Sequence, residues 1–85
     1  MEPTSKTTVF RYGSDDRSES VRKTLKEVHA ALNEKGYNPV GQIVGYLMSG
    51  DPTFITSHRN ARNLIAAIER DVILEELIVH YLENK

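Results

Sequence analysis

Two glycine stops, each followed by a cap-and-proline start, cut this chain into short helices and leave no room for one long helix. Lys35-Gly36 precedes Asn38-Pro39, and Ser49-Gly50 precedes Asp51-Pro52. Glycine takes the left-handed conformation that closes a helix. Asn or Asp then offers a side-chain oxygen to the unpaired N–H groups of the next first turn, where proline loses a donor that had no partner anyway. A chain of 85 residues and 9.6 kDa, so divided, is one small domain built from short helices.

The stretches between these marks carry helical periodicity. Asp16 with Glu19 fits a capping box, with Ser18 a rival cap, and Val21, Leu25, Val28 and Leu32 then form one apolar stripe. Arg22, Lys23, Lys26 and Glu27 fall on the opposite, solvated face. Val40, Ile43, Val44 and Leu47 make the next stripe. Gly41 and Gly45 lie within it at a cost of about 1 kcal/mol each relative to Ala, which predicts close approach of another backbone. Asp51-Pro52 opens a short turn through Phe54 and Ile55. Thr56 or Ser57 caps a further helix that turns Ala61, Leu64, Ile65 and Ile68 inward. Glu69-Arg70-Asp71 either breaks or bends the chain, with Asp71 the candidate cap of the last segment. The expected fold is all-α, a small compact bundle of about four to five helices.

The last segment bears on assembly. On a helix, Ile73, Leu74, Leu77, Ile78, Tyr81 and Leu82 cover about half the circumference. A domain of this size buries only about 60% of its unfolded surface, and with no cysteine it has no disulfide to help. The wide apolar face therefore predicts a homodimer with these six residues at its interface.

Residues 1–15 differ in kind. Thr4, Ser5, Thr7, Thr8 and Ser14 dominate, and Val9, Phe10 and Tyr12 are the only large apolar side chains. Too little can be buried to offset the ordering entropy, so this part is expected to be a flexible arm, with residues 16–85 the helical dimerisation domain. Val9-Phe10-Arg11-Tyr12 is suited to docking as a short extended segment.

Several chemistries are disfavoured. Eleven Lys and Arg against twelve Asp and Glu give a net charge of −1, so nothing marks a general binder of nucleic acid or membrane surfaces. A small dimeric helix-turn-helix-like DNA-binding regulator remains the alternative on helix count. His29, His58 and His80 lack metal-ligand spacing, and thiolate sites are impossible without cysteine. Gly41-Gln42-Ile43-Val44-Gly45 lacks the Lys-Ser/Thr ending of a phosphate loop, and no serine sits in a nucleophile motif. A non-enzymatic protein without metal or cofactor is expected. The first residues lack an apolar run, and no stretch approaches the roughly 20 apolar residues of a membrane span, so a cytoplasmic location is expected.

Two features remain as candidate sites. Arg59 and Arg62, three apart with His58 beside them and Arg70 beyond, read either as a solvated face with ordinary ion pairs or as a receptor for phosphate or an acidic partner. The arm threonines are the other: one phosphate adds about −1.5 to −2 charge, more than the whole chain's balance of −1.

Glu34-Lys35-Gly36-Tyr37-Asn38-Pro39-Val40, Gln42-Ile43-Val44-Gly45-Tyr46-Leu47 and Ser49-Gly50-Asp51-Pro52 together resemble the IreB/ReoM family of small regulatory phosphoproteins of Gram-positive bacteria. His58, Ala61-Arg62, Leu64-Ile65, Glu69-Arg70-Asp71 and Glu75-Glu76-Leu77 fit the same pattern, which runs from about Thr7 to Leu82. The resemblance implies an all-helical homodimer with a flexible N-terminal arm. It also implies a cytoplasmic substrate of a transmembrane Ser/Thr kinase with extracellular PASTA repeats, and of its phosphatase. The family's modified threonine lies three residues before a phenylalanine, as Thr7 does before Phe10; Thr4 matches a second, weaker site, and Thr8 is a neighbour that competes for assignment. The implied role is control of envelope and peptidoglycan synthesis through the Clp protease system or its adaptor, acting on an early pathway enzyme. Ser57, Ala66 and Ala67 stand where relatives are often basic, so the basic face is thinner here, and Gly41 stands where relatives often have Asn.

Overall fold

The computed structural model describes residues 15–83, which fold as α1 (Asp15–Glu34), α2 (Pro39–Ser49), α3 (Ala61–Ala66) and α4 (Arg70–Glu83), with short 3-10 helices at Pro52–Phe54 and His58–Asn60. The all-α expectation holds, with no strand among the described residues. The arm, with Thr4, Thr7 and Thr8, lies outside the described residues.

The punctuation acts as its chemistry requires. After α1, Gly36 adopts φ 84°. The Gly36 N–H then donates to the Asn33 carbonyl and the Tyr37 N–H to the Leu32 carbonyl, satisfying two of the helix's last acceptors. Asn38 caps α2 by accepting from the Gly41 N–H at 3.2 Å. Gly50, at φ 77°, closes α2 by donating to the Tyr46 carbonyl at 2.7 Å. Asp51 accepts from both the backbone N–H and the hydroxyl of Thr53, and these bonds hold its carboxyl below the usual range. Two other caps are corrected. Asp16 is the second residue of α1 and Asp71 the second of α4, one step inside the helices they were expected to open.

Val21, Val28, Ala31 and Leu32 of α1 form the core with Tyr46, Ile55, Ala61, Ile65 and Ile73. Three of the four residues expected on α1's stripe are thus fully enclosed, and Leu25 packs at the edge. The α2 stripe is rotated from expectation. Ile43, Tyr46 and Leu47 face the core, while Val40 and Val44 are exposed with Met48. The cause is at Gly45, where an added Cβ would stand 2.5 Å from the Phe54 ring. What approaches this helix is therefore an aromatic side chain from the following 3-10 helix, rather than a backbone. Gln42 secures the same junction by donating to the Phe54 carbonyl at 2.8 Å.

Gly45→Ala is accordingly expected to destabilise the fold. The overpacking cost of about 1–3 kcal/mol exceeds the propensity gain of about 1 kcal/mol. Thermal melts of the two proteins check this; an unchanged or raised Tm would show that Phe54 moves aside freely.

The Glu69-Arg70-Asp71 region is a break. Ala67 closes α3, and the Glu69 carbonyl then accepts from the Val72 and Ile73 N–H groups to start α4. The described chain measures 46 × 26 × 19 Å. Along α4 burial falls away: Ile73 is fully enclosed, whereas Tyr81 and Leu82 are well exposed.

Candidate functional site

The arginine group does not form one helical face. Arg59 precedes α3 in a 3-10 turn and takes φ 57°, followed by Asn60 at φ 63°. Two successive left-handed residues without glycine are strained and persist only where their surroundings fix them. The fixing contacts come from α1. Arg59 bridges Glu34 at 2.7 Å and Glu27 at 2.9 Å, and His58 Nε2 lies 2.8 Å from the other Glu34 oxygen. Arg62 turns inward and donates from Nε to the Ile55 carbonyl at 2.8 Å. Arg70 donates to the Leu47 carbonyl at 3.0 Å, with its guanidinium against Gly50. His58, Arg59, Arg62 and Arg70 are thus held by contacts within the chain and act as clasps between elements.

The Glu34 carboxyl is held below its usual range, chiefly by the hydrogen bond with His58; desolvation opposes this, and the charge and hydrogen bond of Arg59 add to the lowering. A carboxylate lowered on folding contributes stability above its unfolded value, and that contribution is lost as pH falls through the folded value. Glu34→Gln is therefore expected to flatten the acid limb of the stability profile below about pH 5, read from Tm against pH. An acid limb identical to that of the parent would show that this clasp is screened away.

The larger exposed features are apolar. On α4, Leu74, Ile78, Tyr81 and Leu82 lie about 80–180° around the helix from the buried Ile73. Ile78 is 57% exposed and Tyr81 76%. Ile73 corrects the expected interface set: it is fully enclosed in the chain's own core and has no surface left for a partner. Leu77 sits between the two sectors and lines an open groove of about 660 Å³ between α1 and α4. Val21 and Leu25 complete the apolar floor, while Arg22 and Lys26 supply cations along it and His29 and His80 also line it. Glu76, also in the wall, is bonded to the Ser18 hydroxyl and ties α4 to α1.

Sequence reasoning missed a second apolar surface, formed by Tyr37, Val40, Val44 and Met48. The available signal was that α2 contains no charged residue at all. It also read Arg22 and Lys26 only as solvated, because the groove they border is made by α4, about 50 residues away along the chain. Among the described residues no His, Asp or Glu cluster is arranged to hold a metal, and no helix is long and apolar enough to cross a membrane.

Comparison with known proteins adds the decisive context. A family model described as "IreB regulatory phosphoprotein" matches residues 5–83, a span that includes Thr7 and Thr8. A UPF0297 protein of Lachnoclostridium phytofermentans is 64% identical over 64 residues, covering 75% of this chain and 73% of its own.

Proposed function

Because the chain belongs to the IreB regulatory phosphoprotein family, we propose that it is a non-enzymatic, cytoplasmic, homodimeric regulator switched by phosphorylation of Thr7. The observation that carries this reading is the family match across residues 5–83 together with Thr7 placed three residues before Phe10. A PASTA-type Ser/Thr kinase transfers a phosphoryl group to the Thr7 hydroxyl, which gives up its proton, and a phosphatase reverses the change. Thr4 is a weaker site, and Thr8 a neighbouring hydroxyl. The added charge of about −1.5 to −2 alters which partner the arm can meet. The downstream process is cell-envelope and peptidoglycan synthesis, through Clp-dependent turnover of an early pathway enzyme.

Dimerisation uses the outer arc of α4, Leu74, Ile78, Tyr81 and Leu82, with Leu77 at its edge. These side chains project where the protomer has ended its own packing, the place where a second copy would bury them. The arginines play a different part from the phosphate receptor first considered, because all three already serve the protomer's internal contacts.

A Thr7→Ala strain tests the switch. Its level of the early pathway enzyme is expected to stop responding to envelope stress, while the variant protein itself remains folded and abundant. A response indistinguishable from the parent would contradict the assignment of Thr7.

A further inference from the structure

The turn that precedes α3 is folded against its own backbone preference, and the force opposing that preference comes from another element. Arg59 at φ 57° and Asn60 at φ 63° are successive left-handed residues, in a conformation that is costly for a side chain with a Cβ and free only for glycine. We infer that residues 56–60 form a strained strap that α1 holds closed through Glu27 and Glu34, and that the strap opens on its own, ahead of the core, when these two carboxylates are neutralised.

The bonds around the strap divide into two kinds. Those of the first kind set its shape: the Asn60 N–H donates to the Ser57 carbonyl, and the Arg62 N–H closes the loop on the Thr56 carbonyl, each at 3.1 Å. The Asn60 side-chain oxygen also accepts from the Asn63 amide at 2.8 Å. These bonds reach no further than α3. The ties to α1 are ion pairs instead, Arg59 with Glu27 and Glu34, and His58 with Glu34. Their side chains are between 35% and 49% exposed, so each pair is screened and individually weak. Acting together on two adjacent residues, they balance a backbone strain of comparable size. Burial fixes the limits of the motion. Ile55 and Ala61 are fully enclosed on either side of the strap, and Arg62 pins the near end by donating to the Ile55 carbonyl. Opening therefore stays local and leaves the core closed.

The surrounding charges set the sign of the response. Glu27 and Glu34 of α1 and the adjacent His58 stand around Arg59. Lys23 shares a small crevice with Glu27 and Leu64, and Arg62 turns away toward the Ile55 carbonyl. Loss of charge on the carboxylates removes the ties, whereas a proton on His58 strengthens its pair with Glu34. The strap is thus closed above the carboxylate range and opens as pH falls through it, later for Glu34 because its value is lowered. Opening frees the Arg59 guanidinium, which the closed form masks. None of this rests on the role proposed for Thr7.

Amide exchange in the full-length chain reads the strap through the Arg62 N–H and the core through the Leu32 N–H. Glu27→Gln combined with Glu34→Gln is expected to lower Arg62 protection about tenfold at neutral pH while Leu32 stays within about twofold. Two substitutions at position 59 separate strain from clasp. Arg59→Ala loses the guanidinium and keeps the left-handed penalty, so it should open the strap. Arg59→Gly loses both and should restore protection about tenfold over the alanine variant. On acidification of the parent, the Cα shifts of Arg59 and Asn60 should leave left-handed values before the Leu32 signal moves. Unchanged Arg62 protection in the double Gln variant would overturn the clasp. Equal protection in the alanine and glycine variants would overturn the strain. Arg62 and Leu32 losing protection together, by substitution or by acid, would overturn the local opening.

Discussion

Ile78→Asp combined with Tyr81→Asp is expected to leave a folded monomer in place of the proposed homodimer. Both side chains are more than half exposed on the protomer, so charging them does not injure its core. In an interface they would be desolvated at the centre of an apolar patch, where truncating an anchor costs about 2 kcal/mol or more. Two buried aspartates at that position weaken association by at least about a hundred-fold, since each 1.4 kcal/mol is a factor of ten. Light scattering across a dilution series, with circular dichroism to confirm the helices, reads the result. Ile73→Ala provides the contrast. It removes a side chain enclosed in the protomer's own core and should lower stability without changing self-association at temperatures where the protein stays folded. A parent protein that is already monomeric, or a double variant that remains dimeric, would remove α4 from the interface.

The second large effect concerns the core. Leu32→Ala is expected to cost about 2–5 kcal/mol, the range for deleting a buried leucine side chain. Leu32 is fully enclosed, and its carbonyl also accepts the Tyr37 N–H that completes the end of α1. A domain of this length has a total stability of about 4–13 kcal/mol, so this one change removes a large share of it. A drop in Tm of at least about 10 °C is expected, compared at equal protein concentration because association shifts apparent stability. A drop of only a degree or two would mean that α1 is not the element around which the others pack.

The parts legible in sequence were those set by local chemistry. Gly36, Asn38, Gly50 and Asp51 each act through partners within a few residues, so their spacing alone fixes the ends of α1 and α2. The parts that were not legible depend on distant contacts. Arg59 adopts a left-handed conformation because Glu27 and Glu34, far back on α1, hold its guanidinium. A regular helix with Arg59 and Arg62 on one face was the better local reading and the wrong one. On α2, a helix without charged residues presents more apolar positions than one face can take. The Phe54 ring against Gly45, rather than periodicity, decides that Val40 and Val44 face outward. On α4 the half-circle of apolar residues likewise could not reveal that Ile73 belongs to the protomer's core and Leu77 to the groove. The groove itself joins the edge of α1's apolar stripe, with the neighbouring Arg22 and Lys26, to a helix near the other end of the chain, and no local pattern announces such a junction.

Functional legibility followed the same division. The arginines stood out by residue type, and the structure assigns them to holding the 3-10 turn, the α3 start and the α2–α4 junction. Their loss should therefore appear first as loss of fold. The regulatory chemistry we propose lies in the arm, at Thr7, on the strength of its distance from Phe10 and of the family match that spans it.

The measurement that tests the central claim most directly is incubation of the purified full-length protein with an active PASTA-type kinase domain, followed by intact mass and site mapping. The account predicts one added phosphate, located on Thr7, with any slower second addition on Thr4. Phosphate absent from Thr7, whether missing altogether or confined to other residues, would contradict it.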